Sequence, residues 1–467
     1  MNIIMIVSDT FRRDHLGCYG NKGIYTPNLD KFAHRCAQFE NCYAASFPTM
    51  PNRADLFTGK FTFSYLGWMP LPAEEKVLAE ILFEEADYTT IAVVDTPFFV
   101  RRGFNYDRGF KDFVWVPGQG SERTRINSER QYEEDYCAPR TISMAEKCLE
   151  YYHKEKFFLY VDIWDPHEPW DPLPERVKLY YPSYAGQLID PCYWDWHEYG
   201  LKEEDINIAH ACYCGEITMV DFWIGRLLNK IESLGILEDT IIVFTSDHGF
   251  YFGNHGYFGK GRRKDPRSQE QRERLYFSER KGETGYWYRS PLYEEIVRVP
   301  LLIYIPGVRP RRVKSLVSSV DLMPTFLQLV GVEIPKNVHG KSLVPLLEGE
   351  KETLRDFVVT SWGFSEIGKK TKAVDGQERK IKEIQPCTIT TEKWGFLYTT
   401  EDYPTELYDL ERDPYQSENV SCKNPKIVRD LHHQFVEFLE QIGTDERYLS
   451  PRRKVKTSLI NGGNSNF

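Results

Sequence analysis

The sequence lacks long apolar runs, because no stretch approaches the ~20 consecutive apolar residues of a membrane-spanning helix. It also lacks an excess of positive charge, since acidic residues outnumber basic ones and the formal net charge is -10. The ten cysteines contain no CxxC pair of the kind that binds structural zinc. These absences predict a protein that partners with neither a membrane nor nucleic acid.

The chain begins with Met1 and an apolar stretch from Asn2 to Val7, with no basic region before the stretch and no small-residue cleavage site after it. This pattern predicts a first β-strand rather than a secretory signal peptide. We therefore expect a cytoplasmic protein in which most cysteines are reduced and buried as small apolar residues.

Short β-type runs alternate with stretches of helical spacing in a chain that is 41% hydrophobic and 27% charged. The alternation predicts an α/β fold with a large, mostly parallel sheet covered by helices on both faces. Ligands of such sheets bind beyond the carboxyl ends of the strands. Acidic residues lie at these ends, namely Asp9, Asp95, Asp165 and Asp247 after the runs Ile3 to Val7, Thr90 to Val94, Phe157 to Ile163 and Thr240 to Phe244. The expected helices run from Lys76 to Glu85, Ser143 to His153, Ile206 to Leu234 and Asp321 to Val330.

Two regions depart from this alternation. Residues 261–290 are rich in Arg, Lys and Glu and end in aromatic residues, which indicates a long insertion. Two interpretations stay open, a solvated loop or homo-oligomer contact on one side and a lid over a ligand site on the other. From residue 356 the chain is rich in strands and turns, so we expect a main domain of residues 1–355 and a smaller C-terminal α+β subdomain of residues 356–467.

The segment from Ser46 to Gly59 has the pattern of a short helix. Thr49 is a good N-cap, Pro51 suits the first turn, and Gly59 can end the helix. Arg53 follows Thr49 by one helical turn, so both side chains are expected on one face. Partial positive charge at the helix N-terminus favours an anion and eases formation of an alkoxide. The alternative is that Thr49 only caps the helix and Arg53 lies on the surface.

Ordered motifs along nearly the whole chain resemble the sulfatase family of the alkaline phosphatase superfamily, whose signature is nucleophile-x-Pro-x-Arg followed by a short helix and Thr-Gly. The signature matches Thr49, Pro51 and Arg53. The resemblance implies an alkaline phosphatase-like fold and a hydrolase that acts on a small-molecule ester. The other matching motifs are Ser8-Asp9-Thr10, Asp14 to Gly20, Thr26 to Asp30, Asp165 to His167, Thr245 to Gly249, Gly253 to Lys260, Tyr293 to Pro300, Asp321 to Thr325, and Glu406 to Leu410 with Asp413-Pro414.

Thr49 stands where sulfatases of this type have a Cys, or sometimes a Ser, that is converted to formylglycine. The extra methyl of threonine would give a ketone in place of the aldehyde, so we expect no formylglycine. Phosphate-processing relatives in the superfamily use an unmodified Thr or Ser to attack phosphorus directly. We therefore expect hydrolysis of phosphate mono- or diesters or phosphonate esters through a phospho-threonine. The alternatives are a sulfatase that uses unmodified Thr49 and a non-catalytic binding module on the same fold.

The resemblance also implies a metal site formed by Asp9, Thr49, Asp247 and His248. Thr10 replaces a second adjacent Asp of many sulfatases, and the Asp-His pair resembles that of phosphonate monoester hydrolases and phosphodiesterases. Oxygen ligands with one nitrogen favour Mn²⁺ or Zn²⁺, with Mg²⁺ or Ca²⁺ as alternatives. We expect one divalent metal ion, because residues that resemble the sulfatase cations stand where a second ion would bind. On its own, the Asp-His pair would indicate only a strand-end turn.

The remaining candidates concern the leaving group and the substrate. His167 lies in a Pro-containing turn just past a predicted strand and is expected to protonate the departing alcohol, with a structural turn histidine as the alternative. Lys260 matches the family lysine that pairs with a non-bridging oxygen, and the competing interpretation is a solvated lysine. His255 is a further candidate for contact with the leaving group. Asp95 and Thr96 lie where many sulfatases have Lys-x-His, so Thr96 is expected to donate a hydrogen bond to the substrate.

Overall fold

The computed structural model describes residues 1–117, 132–260, 290–364, 370–372, 378–380, 386–399 and 405–455. In chain order the strands are β1 (Asn2–Ser8), β2 (Ala37–Tyr43), β3 (Ser46–Phe47), β4 (Thr89–Val94), β5 (Asp112–Trp115), β6 (Phe157–Ile163), β7 (Trp194–Asp195), β8 (Thr240–Ser246), β9 (Tyr251–Phe252), β10 (Tyr257–Gly259), β11 (Arg298–Val299), β12 (Leu301–Tyr304), β13 (Arg311–Ser318), β14 (Phe357–Trp362), β15 (Lys370–Lys372), β16 (Glu378–Lys380), β17 (Cys387–Thr391), β18 (Trp394–Tyr398) and β19 (Glu406–Asp409). The α-helices are α1 (Pro27–Ala33), α2 (Thr49–Thr58), α3 (Leu78–Ala86), α4 (Cys137–Tyr152), α5 (Pro174–Lys178), α6 (Glu203–Ser233), α7 (Glu294–Val297), α8 (Leu322–Val330), α9 (Val344–Leu347), α10 (Pro425–Gln441) and α11 (Glu446–Leu449).

The main sheet has nine strands in the order β11-β2-β12-β8-β1-β6-β4-β5, with β13 paired to β2. The five adjacent strands β8, β1, β6, β4 and β5 are parallel to one another. Strand β12 pairs antiparallel with β8 and extends the sheet on that side. The predicted large, mostly parallel sheet is confirmed.

Side chains of β1 alternate between two cores, as the period of two in a strand requires. Ile4 and Ile6 pack in one core with residues of α4 and α6. Ile3, Met5 and Val7 point the other way and pack with residues of α2, α3 and α8. Helices therefore cover both faces of the sheet, as the sequence predicts.

The predicted helices are present, with shifted ends. Helix α4 begins at Cys137 rather than at the predicted Ser143. Pro139 lies in its first turn, where the missing N–H removes no intrahelical hydrogen bond. The first turn of the helix therefore includes a proline. The periodicity of apolar residues alone does not predict this early start of the helix.

Four acidic residues lie at one edge of the sheet, as expected. Asp9, Asp95 and Asp247 directly follow β1, β4 and β8, and Asp165 follows β6 by two residues. Because these strands are parallel and adjacent in the sheet, their carboxyl ends meet at the same edge. This edge carries the candidate active site.

A smaller sheet, in the order β19-β18-β17-β14-β3, packs against α10 and confirms a C-terminal subdomain that contains a sheet. Its last strand is Ser46–Phe47, which pairs parallel with β14. The small sheet therefore includes residues from the N-terminal part of the chain, and the boundary after residue 355 stays a prediction. Most of the expected insertion, residues 261–289, lies outside the described residues. None of the helices in the described ranges is long and apolar enough to cross a bilayer.

Buried Asp55 fixes helix α2 to the strand before it and the turn after it. Its carboxylate accepts hydrogen bonds from the Ser46 backbone N–H at 2.6 Å and hydroxyl at 2.8 Å. It also accepts from the Thr62 backbone N–H at 2.9 Å and hydroxyl at 2.6 Å. One side chain thus satisfies four donors on both sides of the helix that begins at Thr49.

We expect Asp55→Ala to lower the free energy of unfolding by about 3 kcal/mol, because its buried donors lose their acceptor and a cavity forms. Urea unfolding followed by circular dichroism measures the change. Asp190→Ala serves as control, since Asp190 is exposed and its loss is expected to change stability by less than about 0.5 kcal/mol. Equal stability of the two variants would show that Asp55 does not anchor the helix.

Candidate active site

Helix α2 begins next to His248. Thr49 is its first residue, Pro48 occupies the cap position, and no side chain caps the helix. The prediction that Thr49 is the N-cap is therefore wrong by one position. Gly59 ends the helix with a φ of 65°, in the left-handed region that glycine adopts readily. The ring of Phe47, two residues before Thr49, lies 4.8 Å from the His248 ring between centroids.

The side chain of Arg53 is completely buried at the sheet edge. Its Nε and Nη2 donate to Asp162 at 3.0 and 3.1 Å. Its Nη1 lies 3.1 Å from Asp9 Oδ2 and donates to Asp247. Burial lowers the pKa of the guanidinium, but the three carboxylates outweigh burial and raise the pKa well above its usual value. Arg53 is therefore a charged part of the site, and the alternative of a surface residue is excluded.

The predicted ligands Asp9, Asp247 and His248 come together, with ligand atoms within 4.8 Å of one another. All three residues are fully buried. Within the described part of the chain, His248 Nε2 has no hydrogen-bond partner, and Asp9 Oδ2 has the ion pair with Arg53 alone. His248 Nδ1 contacts the Gly249 carbonyl at 3.0 Å, which leaves Nε2 as the nitrogen for a ligand bond. Burial, with the charge of Lys260, lowers the pKa of His248 and keeps the ring neutral.

These residues fit a divalent metal ion, because a buried imidazole nitrogen without a hydrogen-bond partner, 3.4 Å from Asp247 and 3.9 Å from Asp9, is costly unless a cation binds between them. Thr10 helps to hold the carboxylates in place. Its backbone is in the left-handed region at φ 62°, its N–H donates to Asp247 at 2.9 Å, and its hydroxyl donates to Asp9 at 2.6 Å. A fourth ligand bond from the Thr49 hydroxyl stays a prediction.

Lys260 lies near Asp9 Oδ1, whereas Arg53 contacts Asp9 Oδ2. Its Nζ donates to the Thr10 hydroxyl at 2.8 Å and lies 3.3 Å from Glu168 and 4.0 Å from Asp9. Its side chain is 9% exposed, which excludes the solvated alternative. The ammonium group is therefore fixed beside the candidate metal ligands.

His167 is held beside Lys260 by its neighbours. Nδ1 lies 2.6 Å from the Glu168 carbonyl oxygen and 3.3 Å from its carboxylate, and the ring stacks on Trp164 at 3.8 Å. The Nδ1 contact assigns the proton to Nδ1 and leaves Nε2 as a proton acceptor. Burial lowers the pKa of His167, and Lys260 lowers it further although Glu168 opposes the change. The ring is therefore neutral at neutral pH.

Thr96 and His255, both expected to contact substrate, have protein partners in this structure. The Thr96 hydroxyl donates its proton to Asp162 at 2.5 Å, so it positions a partner of Arg53. His255 lies 3.2 Å from Glu295 and stacks on Tyr293 at 3.7 Å.

Two buried acids of the site are missing from the sequence-based candidates. Asp162 pairs with Arg53, and its position inside the apolar strand β6 is a signal that the sequence contains. Glu168 joins His167 to Lys260. It directly follows His167, but its spacing from Lys260 carries no signal, because only the fold brings the two together.

Together, the fold and this site define a class of enzyme. A candidate metal-binding cluster, two buried cations and a neutral histidine lie together at the carboxyl edge of a parallel sheet, and Arg53 joins helix α2 to them. This combination suits hydrolysis of an anionic ester, since cations and helix dipoles stabilise the charge that develops on the oxygens.

Comparison with known proteins agrees with this class. The model of the Sulfatase family matches residues 1–332, and that of the N-sulphoglucosamine sulphohydrolase C-terminal region matches residues 282–442. The chain belongs to the sulfatase family and is an ester hydrolase, and members of this family are metal-dependent.

Individual relatives are distant. An arylsulfatase of Clostridium perfringens is 26% identical over 97% of this chain and 97% of its own length. An N-acetylglucosamine-6-O-sulfatase of Bacteroides thetaiotaomicron is 24% identical over 90% of this chain and 83% of its own length. The crystal structure of the phosphonate monoester hydrolase of Agrobacterium radiobacter superposes with a TM-score of 0.72 at 20% identity, covering 94% of this chain and 96% of that one. The structural likeness confirms the alkaline phosphatase-like fold.

We expect removal of metal by a chelator to abolish ester hydrolysis, and Mn²⁺ or Zn²⁺ to restore it. In Asp247→Asn, added metal should leave turnover at least about 100-fold below wild type, because one ligand is lost and Arg53 loses a partner. Turnover of an aryl phosphodiester, measured with the metal content, tests this.

Asp239→Asn is the control for metal removal, since the Asp239 side chain is 73% exposed and the variant should recover like wild type. Full activity of protein shown to be metal-free would contradict a metal-dependent site.

Proposed function

We propose that the enzyme hydrolyses phosphate mono- or diesters or phosphonate esters by direct attack of Thr49 on phosphorus. The observation that carries this proposal is the identity of residue 49. A threonine at the nucleophile position of a sulfatase-type site has a hydroxyl that can attack, but it cannot be converted to formylglycine.

The surroundings of Thr49 support this role. Phe47 packs on His248 just before the helix, and Arg53, one turn into the helix, contacts Asp9 and Asp247. Thr49 thus lies between two contacts that both reach the candidate metal ligands. The residue is 2% exposed, and the N-terminal N–H groups of α2 favour an anion beside it.

Asp9, Asp247 and His248, with the Thr49 hydroxyl as the proposed fourth ligand, would hold the metal ion. When bound, the ion acts as a Lewis acid that favours the deprotonated hydroxyl and neutralises charge on the ester oxygens. Arg53 orients the two carboxylates of Asp9 and Asp247. Lys260 supplies a point charge for a non-bridging oxygen.

In the proposed double displacement, Thr49 attacks phosphorus, the alcohol departs, and water then hydrolyses the phospho-threonine. Nε2 of His167 is the group that moves the proton. It gives a proton to the departing alkoxide and accepts one from the attacking water in the second step. The neutral ring with Nδ1 held by Glu168 suits the second step directly, whereas the first step requires prior protonation of Nε2.

A sulfate ester is the second candidate substrate. Two relatives that match most of this chain are named sulfatases, and sulfate esters have the tetrahedral shape and non-bridging oxygens that the same cations bind. This reaction would use the unmodified Thr49 hydroxyl on sulfur.

We expect Thr49→Ala to lower turnover by a factor on the order of 10⁴ or more, because the attacking group is gone, while the protein keeps the ligand carboxylates and part of its metal affinity. Thr49→Ser, which retains a hydroxyl, should keep measurable activity. Assays on aryl phosphate, phosphodiester, phosphonate and sulfate esters should show faster hydrolysis of a phosphorus ester than of the sulfate, and acid-quenched enzyme should carry phosphate on Thr49 by mass spectrometry.

Two results would count against the Thr49 proposal. Wild-type turnover in Thr49→Ala would remove Thr49 as nucleophile. Faster hydrolysis of the sulfate than of every phosphorus ester would instead favour the sulfate candidate, with the same nucleophile.

We expect the effect of His167→Asn to depend on the leaving group. An alkyl ester needs a proton on its departing alkoxide and should slow by about 10²- to 10⁴-fold, whereas a 4-nitrophenyl ester, whose leaving group is stable as an anion, should slow much less. His433→Asn is the matched control, since its side chain is 74% exposed. An equal decrease for both esters would indicate that His167 does not protonate the leaving group.

A further inference from the structure

A second cluster of metal-ligating side chains lies apart from the active-site ligands. His15, at the end of the turn Arg13–His15, faces His210 and Cys214 on the long helix α6. One ligand atom from each of the three lies within 4.8 Å of the others. The two helix residues are one turn apart on one face of α6, the spacing that lets two side chains of a helix bind one ion.

One of the two distances in this cluster is close to that of a zinc site, and the other is the length of a hydrogen bond. Zinc bonds of about 2.0 Å to nitrogen and about 2.3 Å to sulfur in a tetrahedron place a nitrogen and a sulfur ligand about 3.6 Å apart, and two nitrogen ligands about 3.3 Å apart. Cys214 Sγ lies 3.7 Å from His210 Nε2. His15 Nε2 lies 2.7 Å from the same nitrogen, as a hydrogen bond. His210 is only half-buried, so its ring can turn to open this contact.

The surroundings resemble the outer contacts of metal-bound histidines. His15 Nδ1 lies 2.9 Å from Asp14 Oδ1, and a carboxylate on the far nitrogen orients a ligating ring and fixes its tautomer. Arg12 holds the same Asp14 carboxylate at 2.6 and 2.9 Å. With Asp14 as acceptor, His15 carries its proton on Nδ1, and the lone pair on its Nε2 accepts the hydrogen bond from His210.

The other two side chains are available in the form that zinc needs. Burial lowers the pKa of His210 to about 3, with His15 and Arg12 adding to the effect, so its ring is neutral at neutral pH. Cys214 is 4% exposed and is a thiol without metal, because burial raises its pKa. Zinc deprotonates a coordinating thiol as it binds.

We propose that His15, His210 and Cys214 bind Zn²⁺, with a water molecule as the fourth ligand. Bonds form from the ion to His15 Nε2, His210 Nε2 and Cys214 Sγ. The thiol proton is released to solvent, and the proton on His210 Nε2 moves to Nδ1 through solvent.

This zinc site would fasten helix α6 to the segment that carries Asp9. Tyr213, between the two helix ligands, accepts a hydrogen bond from the Arg12 N–H at 2.8 Å and donates one to the Thr10 carbonyl at 2.8 Å. Thr10 in turn donates to Asp9 and Asp247. The proposal itself does not depend on the substrate or the nucleophile of the active site.

Cobalt substitution in the full-length protein distinguishes this site from the active site. A Co²⁺–thiolate bond absorbs in the near ultraviolet by charge transfer, and the proposed active-site ligands include no thiolate. When chelator-treated, reduced protein is titrated with Co²⁺, the intensity of this band should rise to the value expected for one thiolate ligand per chain. Equimolar Zn²⁺ should then remove the band. Asp247→Asn, which loses an active-site ligand, should keep the band.

Cys214→Ser and His210→Gln should each lose the band. Cys212→Ser is the matched control, since Cys212 is buried on the same helix and should keep it. Circular dichroism confirms folding, and the half-buried position of His210 makes His210→Gln decisive if Cys214→Ser fails to fold. The zinc site would be overturned if the wild-type protein shows no band, or if the band persists in His210→Gln or Cys214→Ser. His15 and His210 would then form a hydrogen-bonded pair that binds no metal.

Discussion

The ion cluster around Arg53 joins the parts of the molecule that form the active site. Its guanidinium contacts carboxylates from three neighbouring strands, since Asp9 follows β1, Asp162 lies in β6 and Asp247 follows β8. All four side chains are 0% exposed. Removing such charges from water is costly, so the pairs persist only with good geometry and further hydrogen bonds. Thr96 and Tyr160 supply these bonds to Asp162.

This cluster also explains where helix α2 begins. Arg53 reaches the sheet only if the helix approaches the strand ends with its N-terminus, because long side chains lean toward the N-terminus of their helix. The same orientation brings the first residue, Thr49, to the sheet edge. The position of the proposed nucleophile is therefore a consequence of an ion cluster one turn further along the chain.

The sequence predicted the sheet, its covering helices and the acids at the strand ends, because these depend on local periodicity and on the rule that parallel strands end together. Asp9, Asp247 and His248 follow from this rule and from the family motifs. The sequence did not predict the partners of Lys260, because Glu168 meets it only through the fold. Nor did it predict that the Thr96 hydroxyl binds Asp162, since a hydroxyl at a strand end can donate in several directions.

The charges of the site bear on which ester fits it. The carboxylates that contact Arg53 or Lys260 are those of Asp9, Asp162, Asp247 and Glu168. Two cations face these four carboxylates, and His167 and His248 are neutral because burial lowers the pKa of each. One divalent metal ion brings the formal charge of this buried group to zero. A neutral centre leaves the charge of the ester uncompensated, so burying a singly charged ester costs less free energy than burying a doubly charged one. Within the proposed range of substrates, the charge of the site favours phosphodiesters and phosphonate monoesters over phosphate monoesters.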